Sequence, residues 1–169
     1  MNQSKTEILD APLHALGFEI DELSADKVSG HLLITSKCCQ VLTHLMLIQF
    51  LHNAGPFNML HGGVSALIAE ALASIGAHIA AGFHRVAGIQ LSINHLKSAV
   101  AGDYIVAEAT PVNVGKSVQV WEVVLLKCDP SKSEIKTMIA SSRVTVLCNL
   151  PVPESARDAA QNLRKYAKL

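Results

Sequence analysis

Four β-branched runs dominate the second half of the chain: Val86–Leu96, Asp103–Val114, Ser117–Lys127 and Ile135–Leu147. Turn residues punctuate them at Gly102-Asp103, Gly115-Lys116 and Asp129-Pro130-Ser131. Two earlier runs, Gly17–Leu23 and Lys27–Thr35, flank the polar turn Ser24-Ala25-Asp26. Connections this short predict antiparallel hairpins, not crossover units. Residues 7–17 predict a short helical lead-in with Pro12 in its first turn. Between the two groups of strands, Gly62–Ala81 is apolar on every side and rich in Ala and Gly. Such a helix must be enclosed all round. An antiparallel sheet curling about one long central helix meets that demand, which is an α+β architecture. From Pro151 the pattern predicts a helical, amphipathic tail with Ala156, Ala160 and Leu163 on one side.

Residues 41–55 (VLTHLMLIQFLHNAG) fit neither strand alternation nor the neighbouring turns. They read as an extra helix over the sheet mouth or as sequence carried across a splice junction. With 169 residues, half of them apolar, the chain is one domain over 1–150 with a tail over 151–169. Lys plus Arg and Asp plus Glu both number 14, and aromatics are 4%. That balance offers no footprint for nucleic acid. It also leaves little charge to hold copies apart, so an oligomer is expected. Cys38, Cys39, Cys128 and Cys148 form no CxxC pair and have no metal-ligand spacing with a histidine, so buried thiols and no metal are expected. The apolar span Val64–Phe83 holds Glu70 and His78 and reads as a buried helix, not a membrane span. The ending Ala167-Lys168-Leu169 is close to the Ser-Lys-Leu address read by peroxisomal import receptors, so the peroxisome is the expected compartment.

The chemistry concentrates where the long helix begins. Two glycines, Gly62 and Gly63, follow His61. First-turn amides have no partner inside a helix and sit at the positive end of its dipole, a place for an oxygen becoming an anion. Glu70 stands in the apolar middle of the same helix, where a carboxylate must be paired or perform chemistry. Burial suits a carboxyl group to proton transfer near neutral pH. A structural network with Ser74 and His78 on the same face is the other reading. Gly62 and Glu70 are eight residues apart, about 12 Å along the axis. To serve one reaction they must come from two chains, in a symmetric dimer with two equivalent sites.

A buried helix opening with His61-Gly62-Gly63 and bearing an acid nine residues after the His resembles the hot-dog thioesterases of the phenylacetate-operon and 4-hydroxybenzoyl-CoA type. The resemblance runs from Leu13 to Leu147 without 41–55, and includes Gly88–Ala99, the Gly102-Asp103 turn and Gly115-Lys116-Ser117. With the Ala-Lys-Leu ending it is similar to the plant peroxisomal 1,4-dihydroxy-2-naphthoyl-CoA thioesterases of phylloquinone synthesis. The resemblance implies a hot-dog fold and cofactor-free hydrolysis of an aromatic acyl-CoA by a homodimer or homotetramer. The Gly62 amide would polarise the thioester carbonyl, while Glu70 of the partner subunit attacks it or activates water. Ser74 would help place the nucleophile, and Gln90 would be a second polar group in the site. Gly115, Lys116, Ser117, Asn94 and His95 would follow the CoA arm, with Lys116 and Arg143 near its phosphates. His61 would shape the helix start, with Gly63 beside it.

One departure stands out. Family members place a Gln or Asn six residues before the HGG histidine to support the carbonyl, and here that position is Gly55. Removing 41–55 would bring Gln40 there. Either Gln40 returns by looping the insertion outward, or Asn53 substitutes, or activity is impaired. Two other functions therefore stay open: a non-catalytic or impaired acyl-CoA binder, and a hot-dog dehydratase or hydratase.

Overall fold

A computed structural model describes residues 3–39, 59–129, 132–154 and 158–168. Two short helices, α1 (Lys5–Leu9) and α2 (Ala11–Leu16), lead into β1 (Glu19–Leu23) and β2 (Val28–Leu33). After a 3₁₀ turn at Ser36–Cys38 comes the long helix α3 (Gly62–Ala80), then β3 (Arg85–His95), β4 (Tyr104–Val114), β5 (Val118–Asp129) and β6 (Lys132–Leu150). A last helix, α4, spans Gln161–Tyr166. Each lead-in helix has a side-chain cap: Ser4 accepts from the Glu7 amide and Asp10 from the Leu13 amide. Gly17 ends α2 at φ 86°, which a residue with a side chain rarely adopts.

The six strands form one antiparallel sheet in the order β1-β2-β4-β5-β6-β3. Strands β4, β5 and β6 are consecutive hairpins, whereas β3 joins the far edge because α3 carries the chain across the sheet face first. This is the α+β arrangement expected, a sheet curled against one central helix. The contact is close. Trp121 on β5 is fully buried, and a Cβ on Gly76 of α3 would lie 2.6 Å from its ring. The indole donates to the Oε1 atom of Gln119, also buried, at 2.9 Å.

Two expectations need correcting. The sheet covers one side of α3 only, leaving Ala66, Glu70, Ser74 and His78 as a half-buried stripe. One curled sheet covers one side of a helix, and within the described residues the far side of α3 is not enclosed. Among the described residues the tail is α-helical only over Gln161–Tyr166. Pro151 and Pro153 lack amide donors and push their predecessors toward extended backbone. Leu163 is buried, Ala160 is half-buried, and Ala156 lies outside the described residues. Beyond α4, the Lys168 amide donates to the Leu23 carbonyl at 2.8 Å, docking the tail on the β1 edge. Of the four cysteines, only Cys38 and Cys148 are buried; Cys39 and Cys128 are partly exposed. Helix α3 is long and apolar enough to cross a membrane by length and composition, yet it is the helix on which the sheet packs.

On the outer face, Glu108 lies between Lys27 at 3.2 Å and Lys136 at 3.4 Å. Partial burial pushes its carboxyl group up, but the Lys27 and Lys136 ammonium groups outweigh this and hold it below its ordinary value. A carboxyl depressed on folding stabilises above its unfolded value and loses that contribution as pH falls. The stability gap between wild type and Glu108→Gln, about 0.2–1 kcal/mol near neutrality, should close on acidification in urea titrations. In the core, Gly76→Val should cost about 1–3 kcal/mol by overpacking against Trp121, read as a lowered thermal midpoint.

Candidate active site

The chain is pinned where α3 begins. The Leu60 amide donates to the Ala99 carbonyl at 2.8 Å, and the His61 amide to the Cys38 carbonyl at 2.9 Å. His61 then caps the helix, its Nδ1 accepting from the Gly63 amide at 2.8 Å. That bond consumes the Gly63 donor and makes His61 the N-cap of α3. Among the described residues the Gly62 amide has no acceptor. Gly62 also lacks a side chain where one would press on a neighbour: a Cβ there would lie 3.2 Å from the His95 ring. The two residues line a cleft of about 420 Å³ with Met59, Ser65, Ser98 and Ile139. An oxygen acquiring negative charge here meets a free amide at the positive end of a 19-residue helix.

Strand β3 runs back along α3, so its residues measure positions on the helix. His95 stands beside Gly62, and Gly88 stands beside Glu70, where a Cβ would come within 2.9 Å of the Oε1 atom. The Ser74 hydroxyl donates to that same oxygen at 2.7 Å. Glu70 is thus held between a hydroxyl and a glycine backbone, half-buried where the sequence predicted full burial. His78 stays out of this pair; its Nε2 donates to the Phe83 carbonyl at 3.2 Å, so the three-member network does not form.

A register shift in β3 decides which side chains reach the helix. Gly88 pairs with Val146, whose side chain is buried, while Gln90 pairs with Thr145. Thr145 donates to Gln90 Oε1 at 3.4 Å, and both sit on the outer face. Asn94, opposite Ser141, and Arg143, opposite Ser92, are also on that face, where Arg143 binds Glu122 at 3.2 Å. Within one chain, then, the structure does not bring Gln90, Asn94 or Arg143 to Glu70 or Gly62; of this group only His95 arrives. Gly115, Lys116 and Ser117 form the turn between β4 and β5. Gly115 and Lys116 line a second cleft, of about 240 Å³, with Ala80 and Ala81 at the opposite end of α3 from Gly62. The Lys116 carbonyl accepts there from the Asn149 side chain.

Gly88 had no role assigned from sequence alone, although a glycine inside a β-branched run signals a close approach. Gln40 and Asn53, with the rest of the 41–55 segment, lie outside the described residues. Among the described residues no group of three or more His, Cys, Asp or Glu side chains is placed to hold a metal ion.

Comparison with known proteins agrees with this geometry. The Thioesterase superfamily profile matches residues 57–133. The chain is 54% identical to 1,4-dihydroxy-2-naphthoyl-CoA thioesterase 2 of Arabidopsis thaliana over 94% of its own length and 92% of that protein. It is 33% identical to a 1,4-dihydroxy-2-naphthoyl-CoA hydrolase of Listeria monocytogenes, over 78% of this chain and 89% of that one. Among solved structures, a Haemophilus influenzae thioesterase superposes with a TM-score of 0.65 at 24% identity, covering 91% of this chain and 96% of its own. A helix-borne acid, a glycine amide at the helix start and this kinship together make the chain a thioester hydrolase, a member of the hot-dog thioesterase superfamily.

Proposed function

We propose that the chain hydrolyses an aromatic acyl-CoA, 1,4-dihydroxy-2-naphthoyl-CoA, to 1,4-dihydroxy-2-naphthoate and CoA. The substrate follows from the relatives' activities. The observation that carries the mechanism is the Ser74–Glu70 pair lying half-open on the same helix as the Gly62 amide, about 12 Å away. The working unit is a homodimer, with higher assembly open to it. Strand β3 is a sheet edge with no strand partner on its outer side among the described residues, and Ile89 on it is 57% exposed. A second copy along this edge would cover the open stripe and bring its acid to the first copy's helix start.

In that unit the Gly62 amide donates to the thioester oxygen as it becomes an oxyanion. Glu70 of the partner subunit either takes a proton from water, whose oxygen bonds to the carbonyl carbon, or attacks that carbon itself and is freed by water. In both routes the C–S bond breaks and the sulfur leaves as CoA thiol with the proton water supplied. Lys116 and Arg143 remain candidates for the CoA phosphates, reached from the second chain. Read as a C-terminal address, Ala167-Lys168-Leu169 extends the proposal to delivery by a peroxisomal import receptor, which would first draw Lys168 off Leu23.

The impaired-binder reading is disfavoured by one contact. Cys39 and Leu60, on either side of the undescribed segment, form an antiparallel bridge. The chain leaves and rejoins the fold at neighbouring points, so the insertion does not displace the start of α3. The relatives named above are a thioesterase and a hydrolase, which favours hydrolysis over hydration.

Glu70→Gln should lower kcat by about 10²–10⁴-fold with CoA binding retained in calorimetry; unchanged turnover would remove Glu70 from the mechanism. Gly62→Pro removes the amide at a position where proline suits a helix. An equimolar mixture of these two inactive variants should regain roughly a quarter of wild-type turnover, through hybrids with one intact centre. Gly88→Ala should lower kcat about 10–100-fold in thiol-release assays, because its methyl group displaces the Glu70 carboxylate.

A further inference from the structure

The open stripe of α3 does not stop at Ser74. Two turns beyond Glu70, about 12 Å along the axis, it reaches His78. On β3 the same direction leads from Gly88 to Val86, about 7 Å away. There the chain forms a half-open cleft of about 330 Å³, lined among others by His78, Phe83, Arg85, Val86, Val152 and Ala159. Its far wall is made by Val152, Pro153, Ala159 and Ala160 of the tail, and three contacts hold the described parts of the tail in place. The Arg85 guanidinium donates to the Pro151 carbonyl at 3.2 Å, the Arg164 guanidinium sits 4.7 Å over the Phe83 ring, and Leu163 is buried. The lining is mostly apolar. Burial pushes the His78 imidazole below its ordinary value, and the nearby Arg164 and His84 charges add to this against the bond to Phe83. A neutral imidazole leaves the inner wall hospitable to an aromatic ring.

From these positions we infer that the mouth of the cleft receives the outer edge of the acyl group's distal ring, so that His78, Val86 and the tail residues Val152 and Ala159 determine acyl specificity. This rests on the thioesterase reading, with the thioester carbon at Glu70 and the acyl group extended along the stripe. A single ring ends short of Ser74, whereas the outer edge of a second fused ring reaches about 7 Å, level with Val86 at the mouth of the cleft. The tail then has a catalytic-site duty that the sheet and α3 cannot perform, because they leave this end of the stripe unwalled.

Val152 and Ala159 are both exposed on their outer sides, so a large side chain can enter the cleft from the tail without disturbing the core. The experiment compares kcat/KM for 2-naphthoyl-CoA and benzoyl-CoA in the full-length wild type, Ala159→Trp and Val152→Trp. The naphthoyl-to-benzoyl ratio should fall by about tenfold or more in at least one filled variant. A ratio unchanged in both, whether the two rates are kept or fall together, would overturn the inference and leave the thioesterase reading intact. A wild-type chain that released CoA from neither thioester would overturn both.

Discussion

A helix is a rigid ruler that advances 1.5 Å per residue, and it keeps the two halves of this chemistry apart. The amide that can hold an oxyanion is at Gly62, and the acid that can activate water is at Glu70, on one helix and out of each other's reach. Much else depends on that separation. The sheet covers one side of α3 and leaves the acid-bearing stripe half-open. The edge beside that stripe is β3, which has room for another chain. A fully enclosed α3 would bury its carboxylate where no substrate could reach it. The open stripe is therefore a requirement of the chemistry as much as an unfinished core.

Strand β3 does the aligning. It returns antiparallel to α3, so His95, Gly88 and Val86 mark the amide end, the acid and the far cleft in turn. Two of its neighbours on the helix depend on missing side chains. Gly62 lets the His95 ring approach the helix start, and Gly88 lets the Glu70 carboxylate lie against backbone. Ser74 fixes the remaining freedom of that carboxylate from its own helix, one turn along. Gly88 and Ser74 thus place a carboxyl group that the apolar helix would otherwise let swing.

Much of this was legible in the sequence. The β-branched runs and their turns place all six strands within a few residues, and the Gly-Gly start with an acid nine residues beyond His61 marks the site. What escaped depends on three-dimensional parity and on other chains. Apolar residues announce that a helix will be covered without saying by which chain, so Glu70 reads as buried when it is half-open. Gln90 shares a motif with Gly88, but a register shift between them turns Gln90 to the outer face. Gly88 inside the run signals a bulge or a close approach, but it does not say to which face the shift turns Gln90. The tail reads as one amphipathic helix, whereas its two prolines keep the first part extended.

That extended stretch bears on how one fold serves different thioesters. In the proposed mechanism the Gly62 amide and the Glu70 carboxylate act on the atoms every acyl-CoA shares, so they would not distinguish one acyl group from another. Discrimination has to come from surfaces farther along the stripe, where acyl groups differ. At that end the framework contributes the C-terminus of α3 and the start of β3. The segment after β6 adds the far wall, tied down by Arg85 on Pro151 and Arg164 on Phe83. Val152 and Pro153 lie along the cleft, while the buried Leu163 anchors α4. The catalytic pair and the specificity surface are thus built from separate parts of the chain, and the second can vary without moving the first.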